Sequence, residues 1–349
     1  MTDPEIAPLP AAAPTAPPPP AIRDAWPWAV PMPLAGWLER NGFTPIWAAL
    51  LVFVLAFVLF QVVISPLVIG IGLAIDLAQS GQTEPPDAAD LMASVLENPP
   101  LLMTANTLGQ IGGFALFALF AARLHSVEWK SFLRVRRPDL PGLGLAVLGW
   151  AVLYPAVLWS GQLNELIPLP EWLQVLEDGQ VEMIEGLLLG DDLSVGFLFV
   201  ALALTPAVCE ELLFRGYLQR QVERGWGTVT SIVLVGVLFG LYHLRLSQAI
   251  PLSLLGVYLG FVVWATGSVW TGTVVHLLNN GLAVMAAAYA RQDPTLDLES
   301  AEMPWYFGLA GLALAAGVVH LLRQRRHAVV GDAPDSQPMP APPLSPTLS

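Results

Sequence analysis

The chain has 349 residues, of which 55% are hydrophobic and only 12% charged, with a mean hydropathy of +0.61. A soluble domain carries about 25% charged residues, so the composition excludes an ordinary soluble enzyme and points to an integral membrane protein. The net charge of −13, with only 15 Lys and Arg, argues against nucleic acid as a partner, and a single cysteine, Cys209, excludes an intramolecular disulfide or a cysteine-based metal cluster.

In chain order, residues 1–45 read as a disordered Pro/Ala-rich tail with Pro17 to Pro20 consecutive, then a membrane approach carrying Trp26, Trp28 and Trp37. Residues 46–322 read as a transmembrane bundle, because crossing takes about 20 mostly apolar residues. Eight spans are predicted, near 46–75, 101–124, 143–163, 195–222, 229–244, 250–266, 269–290 and 305–322. The first is longer than a crossing needs, which predicts tilt or a kink near Pro66. Residues 323–349 are predicted to be a disordered cytoplasmic tail. The expected fold class is therefore all-α, a polytopic helix bundle with Pro-rich termini.

Charge orients the bundle. With both termini on the cytoplasmic side of the cell membrane, 12 of the 15 basic residues fall in inner segments, Arg245 and Arg291 fall outside, and Arg215 lies within a span. That is the bias expected of cytoplasmic loops. Outer loops 76–100 and 161–192 hold thirteen Asp or Glu and no Lys or Arg. In the second of these, Leu169, Trp172, Leu173, Leu176, Ile184 and Leu188 recur at helical spacing, which predicts an amphipathic helix on the outer face, a lid in outline. A plain solvated loop is the alternative.

The fourth span places Glu210 and Glu211 side by side in an apolar run, with Arg215 four residues on. Ionisable groups at membrane depth are rare and mark function by default. Glu211 and Arg215 stand in the favourable i,i+4 order for a helix pair, which leaves Glu210 without an assigned cation. Burial raises a carboxyl pKa, which suits a general base. The turn at Gly225 to Gly227 sets the depth. Glu210 lies sixteen residues before it and His243 seventeen after it, so at ~1.5 Å per residue both sit about 25 Å from the turn. On the fifth span Phe239 and His243 share a face, and on the seventh His276 and Asn280 do. His276 starts closer to the inner surface than Glu210 by simple count, so tilt or an extended fourth helix has to close that gap. His276 and Asn280 can donate hydrogen bonds to an oxyanion, or join helices as buried polar side chains do. Cys209 reads as a small apolar filler.

These three motifs, Glu210-Glu211-x-x-x-Arg215, Phe239-x-x-x-His243 and His276-x-x-x-Asn280, resemble those of the CAAX prenyl endopeptidase family, also called the CPBP or Abi family of intramembrane glutamic proteases. The resemblance covers the motif core, residues 195–290. It implies an eight-helix bundle with endopeptidase activity in which Glu210 and His243 activate water, and His276 and Asn280 support the oxyanion. Glu211 and Arg215 are implied as supporting residues, and Phe239 reads as packing that shapes the pocket. A peptide or protein substrate is implied, membrane-embedded or lipidated, with the lipid bilayer as the other partner. No metal and no cofactor are expected. Zinc is the minority reading, because two histidines and acids are zinc-type ligands while the chain lacks a His-Glu-x-x-His run. A non-catalytic member of the same fold, serving bacteriocin immunity or acting as a scaffold, is the alternative class. A proton-coupled transporter is a third, without the paired broken helices that repeats supply.

Overall fold

The computed structural model of the chain describes residues 21–24, 32–80, 87–190, 193–292, 302–330 and 336–338. Residues 1–20, 331–335 and 339–349 of the expected disordered tails lie outside the described residues. Among the described residues, nine principal helices carry the fold: α1 Pro45–Ser80, α2 Pro99–Arg123, α3 Leu140–Glu165, α4 Glu171–Leu189, α5 Val195–Trp226, α6 Thr228–Tyr242, α7 Leu246–Thr266, α8 Val269–Ala290 and α9 Trp305–Val330. All but α4 and α6 are long and apolar enough to cross a membrane. Short extended segments Ala21–Asp24, Met32–Pro33 and Ser336–Pro338 pair antiparallel.

The predicted fifth span is thus corrected. Its helix, α6, has 15 residues, about 22 Å at 1.5 Å per residue, against a hydrocarbon core of about 30 Å. α6 follows α5 through Gly227 at φ +84°, a left-handed position that a residue with a Cβ rarely adopts. Two further boundaries move. The last helix runs to Val330, past residue 322, because Arg325 bonds Asp139 at 2.7 Å and Arg326 lies 4.4 Å from the centre of the Trp264 ring. The membrane approach is docked, with Gly36 N–H donating to His125 O at 2.9 Å and Leu38 N–H to Leu124 O at 3.0 Å.

α5 is the central helix: 67% of its most apolar stretch is buried, against 28% for α1, α3 and α9. It packs on one side into an apolar cluster with α1, α2 and α6, built on residues such as Phe60, Phe114, Phe214 and Phe239. A second cluster joins α3, α7, α8 and α9. A third joins the start of α5 to α2, α4 and α8 through Met103, Leu187, Leu198 and Val284. Exposed Val62, Leu67 and Ile71 on α1 are what a lipid-facing surface requires.

α5 is also irregular. Its backbone widens to π-type turns over Phe199–Leu204 and again over Glu211–Leu218. The first ends just before Thr205-Pro206, and in α1 the π turns of Val58–Ile64 end just before Ser65-Pro66. Proline has no N–H to give and crowds the carbonyl four residues back, so a shifted hydrogen-bond register ahead of each proline has a local cause. The second α5 widening carries Glu211 and Arg215, and π turns of this kind cluster at functional sites.

Candidate active site

Glu210 ends the regular turn of α5 and Glu211 opens its π-type stretch. Both are buried, at 5% and 0% exposure, and Arg215 is at 0%. Adjacent residues on a helix do not face the same way, so the two carboxylates meet different partners. Glu211 Oε1 accepts from Arg215 Nη1 at 2.7 Å and from His276 Nδ1 at 3.1 Å. Arg215 Nη2 also donates to Gly256 O on α7 at 3.1 Å, and its guanidinium lies 4.2 Å from the centre of the Phe239 ring. Glu210 is treated differently. His276 Nε2 stands 3.9 Å from its Oε2, beyond a hydrogen bond, and among the described residues that oxygen has no donor.

The partners of His276 fix its tautomer. Nδ1 faces a carboxylate, which only accepts, so the ring proton lies there and Nε2 accepts from Asn280 Nδ2 at 3.2 Å. Asn280 Nδ2 also donates to Leu202 O at 3.2 Å, the carbonyl four residues before Pro206. Asn280 Oδ1 accepts from Asn279 Nδ2 at 3.2 Å, and Asn279 Oδ1 from Trp150 Nε1 at 3.3 Å. α3, α5 and α8 are thus tied together through one polar chain, and the gap between His276 and the glutamates that a simple residue count left open is closed.

His243 is the residue on which α6 ends. Its Nδ1–H donates to Phe239 O at 2.8 Å, so Nε2 carries the lone pair, and among the described residues no hydrogen bond reaches it. Phe239 is buried and packs against both imidazoles, with ring centroids 5.0 Å from His243 and 5.5 Å from His276. The structure therefore joins Glu211, Arg215, His276 and Asn280 by direct hydrogen bonds, sets Glu210 3.9 Å from His276 and attaches His243 through Phe239. Within 4.0 Å, the imidazole that approaches Glu210 is His276. Cys209 is buried in the apolar cluster, as a filler is.

Sequence reasoning missed Gly272. A Cβ there would stand 2.5 Å from Glu211 Oε2 and 2.7 Å from Val263 Cγ2, so this glycine makes the room in which Glu211 sits. The signal was available, since Gly272 lies four residues before His276 on one face of α8. Asn279 was missed too. Its adjacency to Asn280 in an apolar helix was the cue. Among the described residues, no three His, Cys, Asp or Glu side chains converge as a metal set would.

Residues 192–282 match the family model described as Type II CAAX prenyl endopeptidase Rce1-like. This stretch contains all seven of the site residues named from the three motifs. Comparison with the curated proteins and with the solved structures gives no match.

Proposed function

We propose that this chain, a multi-pass membrane protein whose 192–282 segment matches the Rce1-like CAAX endopeptidase family model, is an intramembrane endopeptidase that hydrolyses a peptide bond with water activated by Glu210 and His243. The observation that carries this reading is Glu210 Oε2, a buried acceptor without a donor among the described residues, beside a carboxylate paired with Arg215, while Nδ1 of His243 is taken by Phe239 O and leaves Nε2 to accept. Buried polar groups are normally hydrogen-bonded, so a buried carboxylate oxygen left open suits a reactant that brings its own protons.

In the proposed reaction a water donates to both acceptors. Glu210 takes one proton as the oxygen attacks the peptide carbonyl carbon. The resulting oxyanion accepts from Asn280 Nδ2, which turns from Leu202 O, and His276 supports it by orienting that amide through Nε2. Glu210 then returns its proton to the leaving amine as the C–N bond breaks, so the enzyme ends as it began. Glu211 and Arg215 hold His276 in its tautomer, and Phe239 spaces the two imidazoles. No step needs a metal. The substrate proposed is a peptide or protein presented from the bilayer, lipidated or membrane-embedded, with both termini of the enzyme in the cytoplasm, in line with the 12-to-2 partition of basic residues.

The direct test is cleavage of a peptide library by the purified protein in detergent, with and without a strong chelator. Equal cleavage in both is expected. Loss with chelator and recovery with zinc would replace this mechanism by a metal-dependent one, and no cleavage under any condition would favour the non-catalytic class. A reporter active only inside the cell, fused at Ser349, should give signal. Signal instead from a fusion near Asp87 would reverse the topology.

A further inference from the structure

α6 ends early, and something must hold the chain that follows. His243 caps its C-terminus, and Leu244 has φ +54°, one of two non-glycine residues with positive φ among those described. Glycine or asparagine normally takes that position at a helix end. A residue with a Cβ persists there only where its surroundings over-determine it, and such positions gather at functional sites. The chain then crosses to α7 with only isolated turn bonds of its own, Leu244 N–H to Leu241 O and Gln248 N–H to Arg245 O, both at 3.1 Å, and at membrane depth irregular backbone is tolerated only when protein or trapped water satisfies it.

Two buried side chains from elsewhere satisfy it. Glu177, in the middle of α4, is 4% exposed. Its Oε1 accepts from Leu246 N–H at 2.7 Å and its Oε2 from Ser247 N–H at 3.1 Å. Those are the first turn of α7, where backbone donors are orphaned and negative charge is favoured. Asn164, near the end of α3, is 2% exposed. Its Nδ2 donates to Leu246 O at 2.7 Å and its Oδ1 accepts from Ile250 N–H at 2.8 Å. α4 itself is pinned at its other end, because Arg291 of the segment after α8 donates to Leu187 O, Leu188 O and Leu193 O. A carboxylate buried on an outer helix has no part in the proposed chemistry, yet it sits three residues of chain from His243.

We infer that Glu177 and Asn164 are positioning residues for His243: together they clamp the 243–250 segment and so fix where the His243 imidazole stands relative to Glu210. α4 is then a brace rather than a cover. Its Trp172, Val175 and Leu176 are exposed while Glu177 is the side chain turned inward. This inference rests on the reading of His243 as part of the water-activating pair.

The test is Glu177→Gln, nearly isosteric, which turns one acceptor into an N–H facing the Ser247 N–H. Two readouts are taken on the full-length protein in detergent. Amide hydrogen exchange over 244–250 should quicken by about tenfold or more while α5 and α8 keep their protection. Single-turnover peptide cleavage should fall by up to about 10²-fold, as small misplacements of a reacting group do, with KM held near the parent value. In a His243→Ala background the same change should cost nothing further. Asn164→Asp, which keeps the bond to Ile250 and sets a carboxylate against Leu246 O, should act in the same direction if Glu177→Gln fails to fold. Unchanged exchange, or quickened exchange with parental cleavage, overturns the inference. Parental cleavage by His243→Ala sinks instead the functional reading, and the exchange measurement tells the two failures apart.

Discussion

Two places in this molecule are built from the same three parts. At the end of the bundle rich in basic residues, Glu39 Oε1 accepts from Arg224 Nη2 at 2.8 Å and from His125 Nδ1 at 2.7 Å. In the candidate site Glu211 Oε1 accepts from Arg215 at 2.7 Å and from His276 Nδ1 at 3.1 Å. Both histidines carry their proton on Nδ1 and accept at Nε2, from Tyr217 and Gln221 in the first case and from Asn280 in the second. The first cluster is closed, and it joins the docked N-terminal segment to α5. The second has an extra carboxylate, Glu210, 3.9 Å from the imidazole and without a donor on Oε2. A Glu–Arg–His triad is thus structural by itself here. The open Glu210 acceptor is what separates the candidate site from the closed cluster, and Glu211 Oε2 is likewise without a donor among the described residues.

The largest expected difference between the two is the cost of removing the arginine. Arg215→Ala leaves Glu211 unpaired at 0% exposure, and breaking a buried pair by removing one partner costs about 3–5 kcal/mol. Arg224→Ala should cost less, because the Glu39 side chain is 17% exposed and water can reach it, where Glu211 is fully enclosed. Thermal melts compare the two. An Arg215→Ala protein that melts like the parent but cleaves nothing would move Arg215 into the chemistry. Next in size, Asn280→Ala should lower single-turnover cleavage by about 10²–10³-fold, the usual loss for one oxyanion donor. His125→Ala should leave the intrinsic cleavage rate of folded protein unchanged. Equal losses in both would erase the distinction between the clusters.

Gly272→Ala should be smaller again, about 1–3 kcal/mol, as overpacking of a filled core is. Its signature is that cleavage falls with stability, because the new methyl presses on Glu211 and through it on His276. Parental rates in Gly272→Ala would show that the exact seat of Glu211 is unimportant. The smallest effect is on pH and belongs to the closed cluster. Burial pushes His125 below its ordinary value of 6.5, against the pull of Glu39. Burial also works against the Glu39 carboxylate, yet His125 and Arg224 together hold it below its ordinary 4.5. Both groups therefore bind protons more readily when unfolded, so their stability contribution is full above those values and is lost as pH falls. Melting temperature should step down below about pH 6.5 and again towards 4.5. His125→Gln should lose the upper step, and its persistence would assign that step elsewhere.

Much of the site was legible because it is written in short spacings. The i,i+4 relation paired Glu211 with Arg215, and counting from the Gly225 to Gly227 turn put Glu210 and His243 on neighbouring helices at one depth. Hydropathy found the spans and ended the fifth near residue 244, two past the Tyr242 of the structure, but it could not see that the backbone of the segment that follows is satisfied by Glu177 and Asn164 from distant helices. The same limit hid the Glu39–Arg224 pair, whose partners are 185 residues apart. Periodicity says which face a residue shares and is silent on which helix meets that face. It also gave α4 an apolar side and could not say that the buried contact would be a glutamate.

The central claim is that Glu210, not its neighbour, receives the proton from water. The measurement is single-turnover cleavage of one peptide by Glu210→Gln, with a thermal melt of the same sample. Gln keeps the shape and removes a buried charge, so the melt should match or exceed that of the parent. An amide cannot take a proton from water, so the rate should fall by about 10²–10⁴-fold, the usual worth of general-base catalysis. A Glu210→Gln protein that melts like the parent and still cleaves at more than about a tenth of its rate, where that principle expects a hundredth or less, would contradict the account.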